Sequence, residues 1–215
     1  MRSTPFFRWL VLGSVILLQA CADFGPALKP AADEAAGRAI FEARVPALAA
    51  LDSWRLSGRV SVSNDTESWQ ASLYWRQRGA GYDAVLTGPL GQGAVELRGD
   101  GQSVELQMPD GSKVYDQSAQ ALVAARLGWQ LPLDALQYWV RGIAAPGESE
   151  LLAFSANGEC LSLRQFDWLV EYKHYAEVQG VVVPSKLFLS KAEWQVRLVI
   201  DEWRVGGDEL ATPSR

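Results

Sequence analysis

The side chains able to do chemistry in this sequence are few. His174 is the single histidine among 215 residues, set between Tyr172 and Tyr175 in a strand-like stretch. A nucleophile activated by a base would have to be assembled around it, and no GxSxG-type turn supplies the nucleophile. The carboxylates Glu96, Glu105, Asp110, Asp167 and Glu171 lie on different strands and turns. A pair of them could converge in space as an acid and a base, which leaves a secreted hydrolase open as a remote reading. One histidine and one free cysteine, Cys160, are too few for a zinc site of the usual kind. Gly91, Gly93, Gly99 and Gly101 open no helix, so they form no phosphate loop. No catalytic centre and no metal site is expected.

The chemistry that the sequence does specify is done to it. Arg2 and Arg8 flank an apolar run over 9–18, interrupted by Gly13 and Ser14, and Leu18-Gln19-Ala20-Cys21 follows. The run is short of the roughly 20 residues of a membrane span. Together these read as a lipoprotein leader, residues 1–20, cut before Cys21. The Cys21 sulfur then carries a diacylglycerol and its freed amine an acyl chain. Each buried CH₂ contributes about 0.8 kcal/mol, so several chains anchor durably. Ala22 follows Cys21, with an acid only at Asp23. By similarity to sorted lipoproteins, an Asp directly after the cysteine would favour the inner membrane, so the outer membrane is expected.

Loss of Arg2 and Arg8 with the leader leaves 18 basic against 25 acidic residues, a net charge of −7. No basic patch is evident that could neutralise phosphates along a duplex, so nucleic acid is not an expected partner. An acidic body is not drawn to anionic lipid by charge, and membrane contact must come from the anchor or from apolar residues. With Cys21 lipidated, Cys160 has no partner for a disulfide.

What positions the remaining side chains is mostly strand. Residues 21–33 are rich in Ala and Pro and read as a flexible tether. Residues 33–50 read as a helix with Ile40, Phe41 and Val45 near one face, kinked or ended by Pro46. The period then becomes two: Trp54, Leu56, Gly58, Val60 and Val62 alternate with polar residues, as do Trp69, Ala71, Leu73 and Trp75, around a turn at Asn64-Asp65. This is an antiparallel hairpin with one apolar face. Further strands are expected over 82–87, 94–98, 104–108, 113–115, 161–164, 168–175, 181–183, 186–190 and 196–203. Helices are expected over 118–127 and 133–141, and a frayed tail over 206–215. The fold class is α+β, mainly β: one curved antiparallel sheet, a half or unclosed barrel, with helices covering its concave apolar side. Of nine tryptophans, eight lie in or beside apolar-faced elements. They either fill a core or line a cavity suited to acyl chains. In the loop Thr87-Gly88-Pro89-Leu90-Gly91-Gln92-Gly93, Leu90 has no alternating partner and is expected exposed at the tip.

These segments resemble the LolB family. The resemblance rests on Cys21, on Trp54-Arg55-Leu56-Ser57-Gly58-Arg59, on Trp69 to Trp75 and on Gly88-Pro89-Leu90-Gly91-Gln92. It continues through Gly128-Trp129-Gln130-Leu131-Pro132, Leu136-Gln137-Tyr138-Trp139-Val140-Arg141-Gly142, Asp167-Trp168 and Ile200-Asp201-Glu202-Trp203. Phe166 stands where a small residue is expected. The resemblance implies a lipoprotein-binding domain over 34–205 that accepts lipoproteins from the periplasmic carrier LolA and inserts them into the outer membrane, without cofactor or nucleotide. It implies Pro89, Leu90 and Gly91 as the membrane-insertion loop. Strand parity suggests Leu56, Val60, Leu73, Trp75, Leu86, Leu106, Trp129, Leu136 and Trp139 for the acyl-chain cavity. Outer-membrane lipid, the carrier and cargo acyl chains are the expected partners, and a monomer the expected state. The alternative is a non-catalytic envelope-assembly lipoprotein that docks protein partners through its sheet.

Overall fold

The computed structural model describes residues 28–206 except Gln92; the leader, Cys21 and the tail beyond Gly206 lie outside the described residues. Helix α1 (Glu34–Ala49) starts where the Asp33 carboxylate accepts a hydrogen bond from the Ala36 N–H at 3.1 Å, an N-cap. It buries Phe41 and Leu48, whereas Ile40 is exposed, so its inner face is narrower than the sequence suggests. Pro46 does not end the helix, which runs on to Ala49. The ring removes one N–H, but the last turn is held from elsewhere. The buried Arg141 guanidinium donates to the carbonyls of Leu48, Ala49 and Leu51 at 3.1, 3.1 and 2.9 Å. A cation on the carbonyls at a helix C-terminus is favoured by the dipole and satisfies acceptors that the helix leaves open. Replacing Arg141 by Met should therefore cost about 2–4 kcal/mol in urea unfolding, since three carbonyls lose a charged partner. A cost under about 0.5 kcal/mol would show that water replaces it without loss.

Of the expected tether, residues 28–33 are described, and they are not all free. Pro30 bridges Ser155, and the Ala31 N–H donates to the Phe154 carbonyl at 2.8 Å.

Eleven strands form one antiparallel sheet: β1 (Ser53–Ser63), β2 (Ser68–Arg78), β3 (Gly81–Thr87), β4 (Ala94–Gly99), β5 (Val104–Gln107), β6 (Lys113–Asp116), β7 (Glu150–Phe154), β8 (Cys160–Gln165), β9 (Trp168–Val178), β10 (Val181–Lys191) and β11 (Trp194–Val205). Their order is β6-β5-β4-β3-β2-β1-β11-β10-β9-β8-β7, so the chain's two halves meet at the β1–β11 pair and the sheet stays open between β6 and β7. Helices α2 (Ala119–Leu127) and α3 (Leu133–Trp139) connect the two outer strands. Ser118 caps α2, accepting from the Ala121 N–H at 3.1 Å, and Gly128 ends it in the left-handed region.

The centre of the sheet explains the opening WRLSGR segment. Leu56 faces Trp203 on one side and Trp75 on the other, and Trp54 packs on both tryptophans at ring distances of 5.0 and 5.4 Å. Gly58 sits at a register shift against β11, where a Cβ would lie 2.1 Å from the Val199 carbonyl oxygen. Only glycine permits that approach. The strand β7 is absent from the sequence-based expectation because Glu150-Leu151-Leu152-Ala153-Phe154 does not alternate, and its pairing with β8 slips twice. The expected break at Pro184 is instead a single strand, β10, whose register shifts between Pro184 and Lys186. The proline needs no partner for a missing N–H, and its carbonyl accepts from Trp203 Nε1 at 2.8 Å.

Candidate functional site

The concave face is divided. Around Trp54, Leu56, Trp139, Trp168 and Trp203 it is filled by its own side chains, all of them buried. Trp139 Nε1 donates to Gln165 Oε1 at 3.0 Å, and Gln165 is tied back to Ala145, which locks this half. Over β2 to β5 the sheet and the α2–α3 segment stand apart and leave an apolar cavity of about 120 Å³. Cross-strand register builds its floor: Leu73 faces Leu86, Leu86 faces Val95, Ala84 faces Leu97, and Leu97 faces Leu106. Val123, Leu127, Trp129, Leu131, Leu133 and Leu136 form its roof.

Of the nine residues named from strand parity, Val60, Leu73, Trp75, Leu86, Leu106, Trp129 and Leu136 line this cavity. Leu56 and Trp139 do not: both are fully buried in the filled half. Parity fixes the face of a sheet, not the position along it. Lining residues that sequence reading left out include Val95 and Leu97, whose alternation with Glu96 and Arg98 carried the signal. Leu189, Val196 and Leu198 reach the cavity from the other half of the sheet; Val196 and Leu198 alternate with Gln195 and Arg197, but alternation does not show which strands border the cavity.

Polar groups are confined to a few points of the wall. Trp75 Nε1 donates to Gln77 Oε1 at 3.1 Å, and Gln77 donates on to the Gly79 carbonyl at 2.8 Å. Burial first, and the neighbouring Asp134 second, push the Tyr82 phenol up to about 12, so it stays neutral. The roof is latched at one end, where Trp129 packs on Trp69 at a ring distance of 4.6 Å. A second opening of about 320 Å³ lies there, sharing Val62 and Trp129 with the cavity and lined also by Trp69 and Trp194.

Leu90 stands at the tip of the β3–β4 turn, 95 % exposed, inside a 3-10 turn over Pro89–Gly91. Its backbone is left-handed, with φ 60° and ψ 20°. A leucine there costs roughly 1–2 kcal/mol that glycine or asparagine largely avoids. The turn is held by the Gly88 N–H to the Gly93 carbonyl and the Gly91 N–H to the Gly88 carbonyl, both at 3.2 Å. Strain and full exposure at one apolar side chain are not explained by packing.

The residues weighed for catalysis are otherwise engaged. Glu105 meets Lys113 at 3.0 Å and Arg98 at 3.5 Å, and Tyr115 and Lys113 hold its carboxyl below the usual range. Glu96 is paired with Arg98, Asp167 with Lys191 and Glu171 with Lys173. Backbone and side-chain donors from Ser112 lower Asp110. The downward shifts at Glu105 and Asp110 are the reverse of what a general acid requires. Burial pushes the Cys160 thiol up to about 12, and it is inert as a nucleophile at neutral pH. Among the described residues, no group of three or more His, Cys, Asp or Glu is placed to hold a metal ion.

Residues 52–203 match a family model described as Outer membrane lipoprotein LolB. Outer-membrane lipoprotein LolB of Nitrosococcus oceani is 36 % identical over 201 residues, covering 92 % of this chain and 96 % of that one. The LolB of Stutzerimonas stutzeri is 36 % identical over 189 residues, covering 88 % and 91 %. That of Pseudomonas aeruginosa is 37 % identical over 157 residues, covering 73 % and 77 %. Among solved structures, a DUF1329 family protein from Desulfovibrio piger superposes with a TM-score of 0.51 at 8 % identity, over 81 % of this chain and 93 % of that one. At that identity the likeness is one of fold.

Proposed function

Because this chain belongs to the LolB family of outer membrane lipoproteins, we propose that it takes lipoproteins from a LolA-type periplasmic carrier and delivers them into the outer membrane. In this reading the protein is held at the periplasmic face of that membrane by lipid on Cys21. It acts as a monomer, and its work is binding and release, with no bond made or broken and no cofactor required. The observation that carries the reading is the apolar cavity between sheet and roof.

The cavity's size sets the mechanism. About 120 Å³ is well below the roughly 300–1,000 Å³ of ordinary ligand pockets. An acyl chain therefore enters only if the α2–α3 roof lifts and the Trp69–Trp129 contact opens. Lifting exposes apolar surface, which the chain then covers at about 0.8 kcal/mol per CH₂. Transfer runs downhill because the chain prefers this cavity to the carrier's and the bilayer to both. Leu90 enters the hydrocarbon first and brings the loaded protein against its target. The test is incubation of a LolA-type carrier loaded with a lipoprotein with this protein, followed by gel filtration. The lipoprotein should move to this protein in the absence of membrane. Cargo that stays on the carrier would overturn the reading.

A further inference from the structure

A groove of about 380 Å³ lies on the convex face beside the Leu90 loop, with Pro89 forming one wall. Arg59 and Arg197 line it, with Ser61, Gln70 and Ser72. Arg59 is the last residue of the WRLSGR segment. Trp54, Leu56 and Gly58 in that segment have packing reasons; Arg59 points the other way, into this groove. Its guanidinium is held by Asp201, at 3.2 Å from Nε and 2.9 Å from Nη2. Two of its five N–H donors are used there, and three remain. The Arg197 guanidinium lies over the Phe188 ring, 5.4 Å from its centre. The ring attracts the cation and uses none of its N–H donors, which stay available to an acceptor. Lys173 and Lys186 flank the same ring at 5.4 and 5.6 Å. The facing acids are Asp201 and Glu171, so this strip is net positive on a chain whose balance is acidic.

We propose that this groove binds the phosphate of an anionic phospholipid headgroup, one with no cationic group of its own to neutralise it, when Leu90 is in the bilayer. The inference rests on the reading of Leu90 as the membrane-entering residue. It follows from placement: Pro89 belongs both to the loop that enters hydrocarbon and to the wall of the groove. With Leu90 below the headgroups, the two arginines lie at headgroup level, where a phosphodiester meets two guanidinium groups. The site orients the protein on the membrane, which one apolar side chain does not do.

The test is binding of the mature chain, carrying Cys21→Ala so that no acyl anchor masks the contact, to phosphatidylcholine vesicles with and without phosphatidylglycerol. The unsubstituted groove should favour the anionic vesicles, and added salt should erase that preference. Arg197→Gln and Arg59→Gln should each lower binding to anionic vesicles about fivefold and leave neutral vesicles unaffected. Asp201→Asn should strengthen anionic binding by a similar factor, a sign that loss of a structural ion pair would not give. Retention of the full anionic preference by both arginine variants overturns the proposal. Displacement by free glycerophosphate at matched phosphate concentration would reassign the groove to a soluble phosphate and overturn the lipid assignment. Leu90→Glu in the same assay separates the two readings: normal binding to both vesicles would sink the loop's role, whatever the arginines do.

Discussion

Replacing Leu90 by glutamate is expected to leave folding and cargo acceptance unchanged and to cut delivery into membranes at least about tenfold. A carboxylate placed in hydrocarbon costs about 2.5–3.5 kcal/mol on the insertion scale, and leucine gains a few tenths. The full difference corresponds to roughly 100-fold or more, and a shallow tip realises part of it. Acceptance is spared because Leu90 touches neither the cavity nor its roof; it is almost fully exposed. Leu90→Asn separates the tip's strain from its role. Asparagine tolerates the left-handed backbone, so stability should hold or rise by up to about 1 kcal/mol while delivery falls. Movement of the two readouts in opposite directions is the signature of a residue kept for function at the expense of stability. Delivery by Leu90→Glu at the unaltered rate would remove the loop from the mechanism.

The second large effect is expected from filling the cavity. Ala84 lies in its floor between Trp75 and Leu97, and it is half-buried. Ala84→Phe puts a ring into the void that the roof covers. Melting temperature should stay within a few degrees or rise, because the ring enters existing space and not a packed core. Cargo acceptance from the loaded carrier should fall at least about tenfold, because a void already well below ligand size loses much of what remains. A stable Ala84→Phe protein that accepts cargo normally would mean that the acyl chain is held elsewhere. Leu56→Met makes the control. Leu56 is in the filled half, so a volume-conserving change should cost under about 1.5 kcal/mol and leave acceptance intact.

Much of the architecture was legible because its signals are local. The alternation from Trp54 to Val62 and from Trp69 to Trp75 fixes a hairpin and its apolar face, and the register agrees residue by residue. Pro89, Leu90 and Gly91 read as an exposed turn because nothing alternates with Leu90. What was not legible depends on contacts distant in sequence. α1 runs past Pro46, and Arg141, far along the chain, holds the carbonyls at its end. β7 pairs by virtue of β8 and the helix over it, not by its own pattern. Where the concave face is filled and where it is hollow depends on what packs over each strand, which alternation along one strand does not record. For that reason Leu56 and Leu73, alike in sequence context, end on opposite sides of it. The left-handed backbone of Leu90 was also unreadable, since Pro-Leu-Gly is compatible with several turn types.

The most direct test is to follow the acyl chain itself. A lipoprotein carrying a photoreactive group near the end of its acyl chain, transferred from the carrier and irradiated in solution, would mark the residues it touches. Adducts at Leu73, Leu86, Leu106 or Trp129 are the predicted result. Adducts confined to the convex strands, or to the surface of α1, would contradict it.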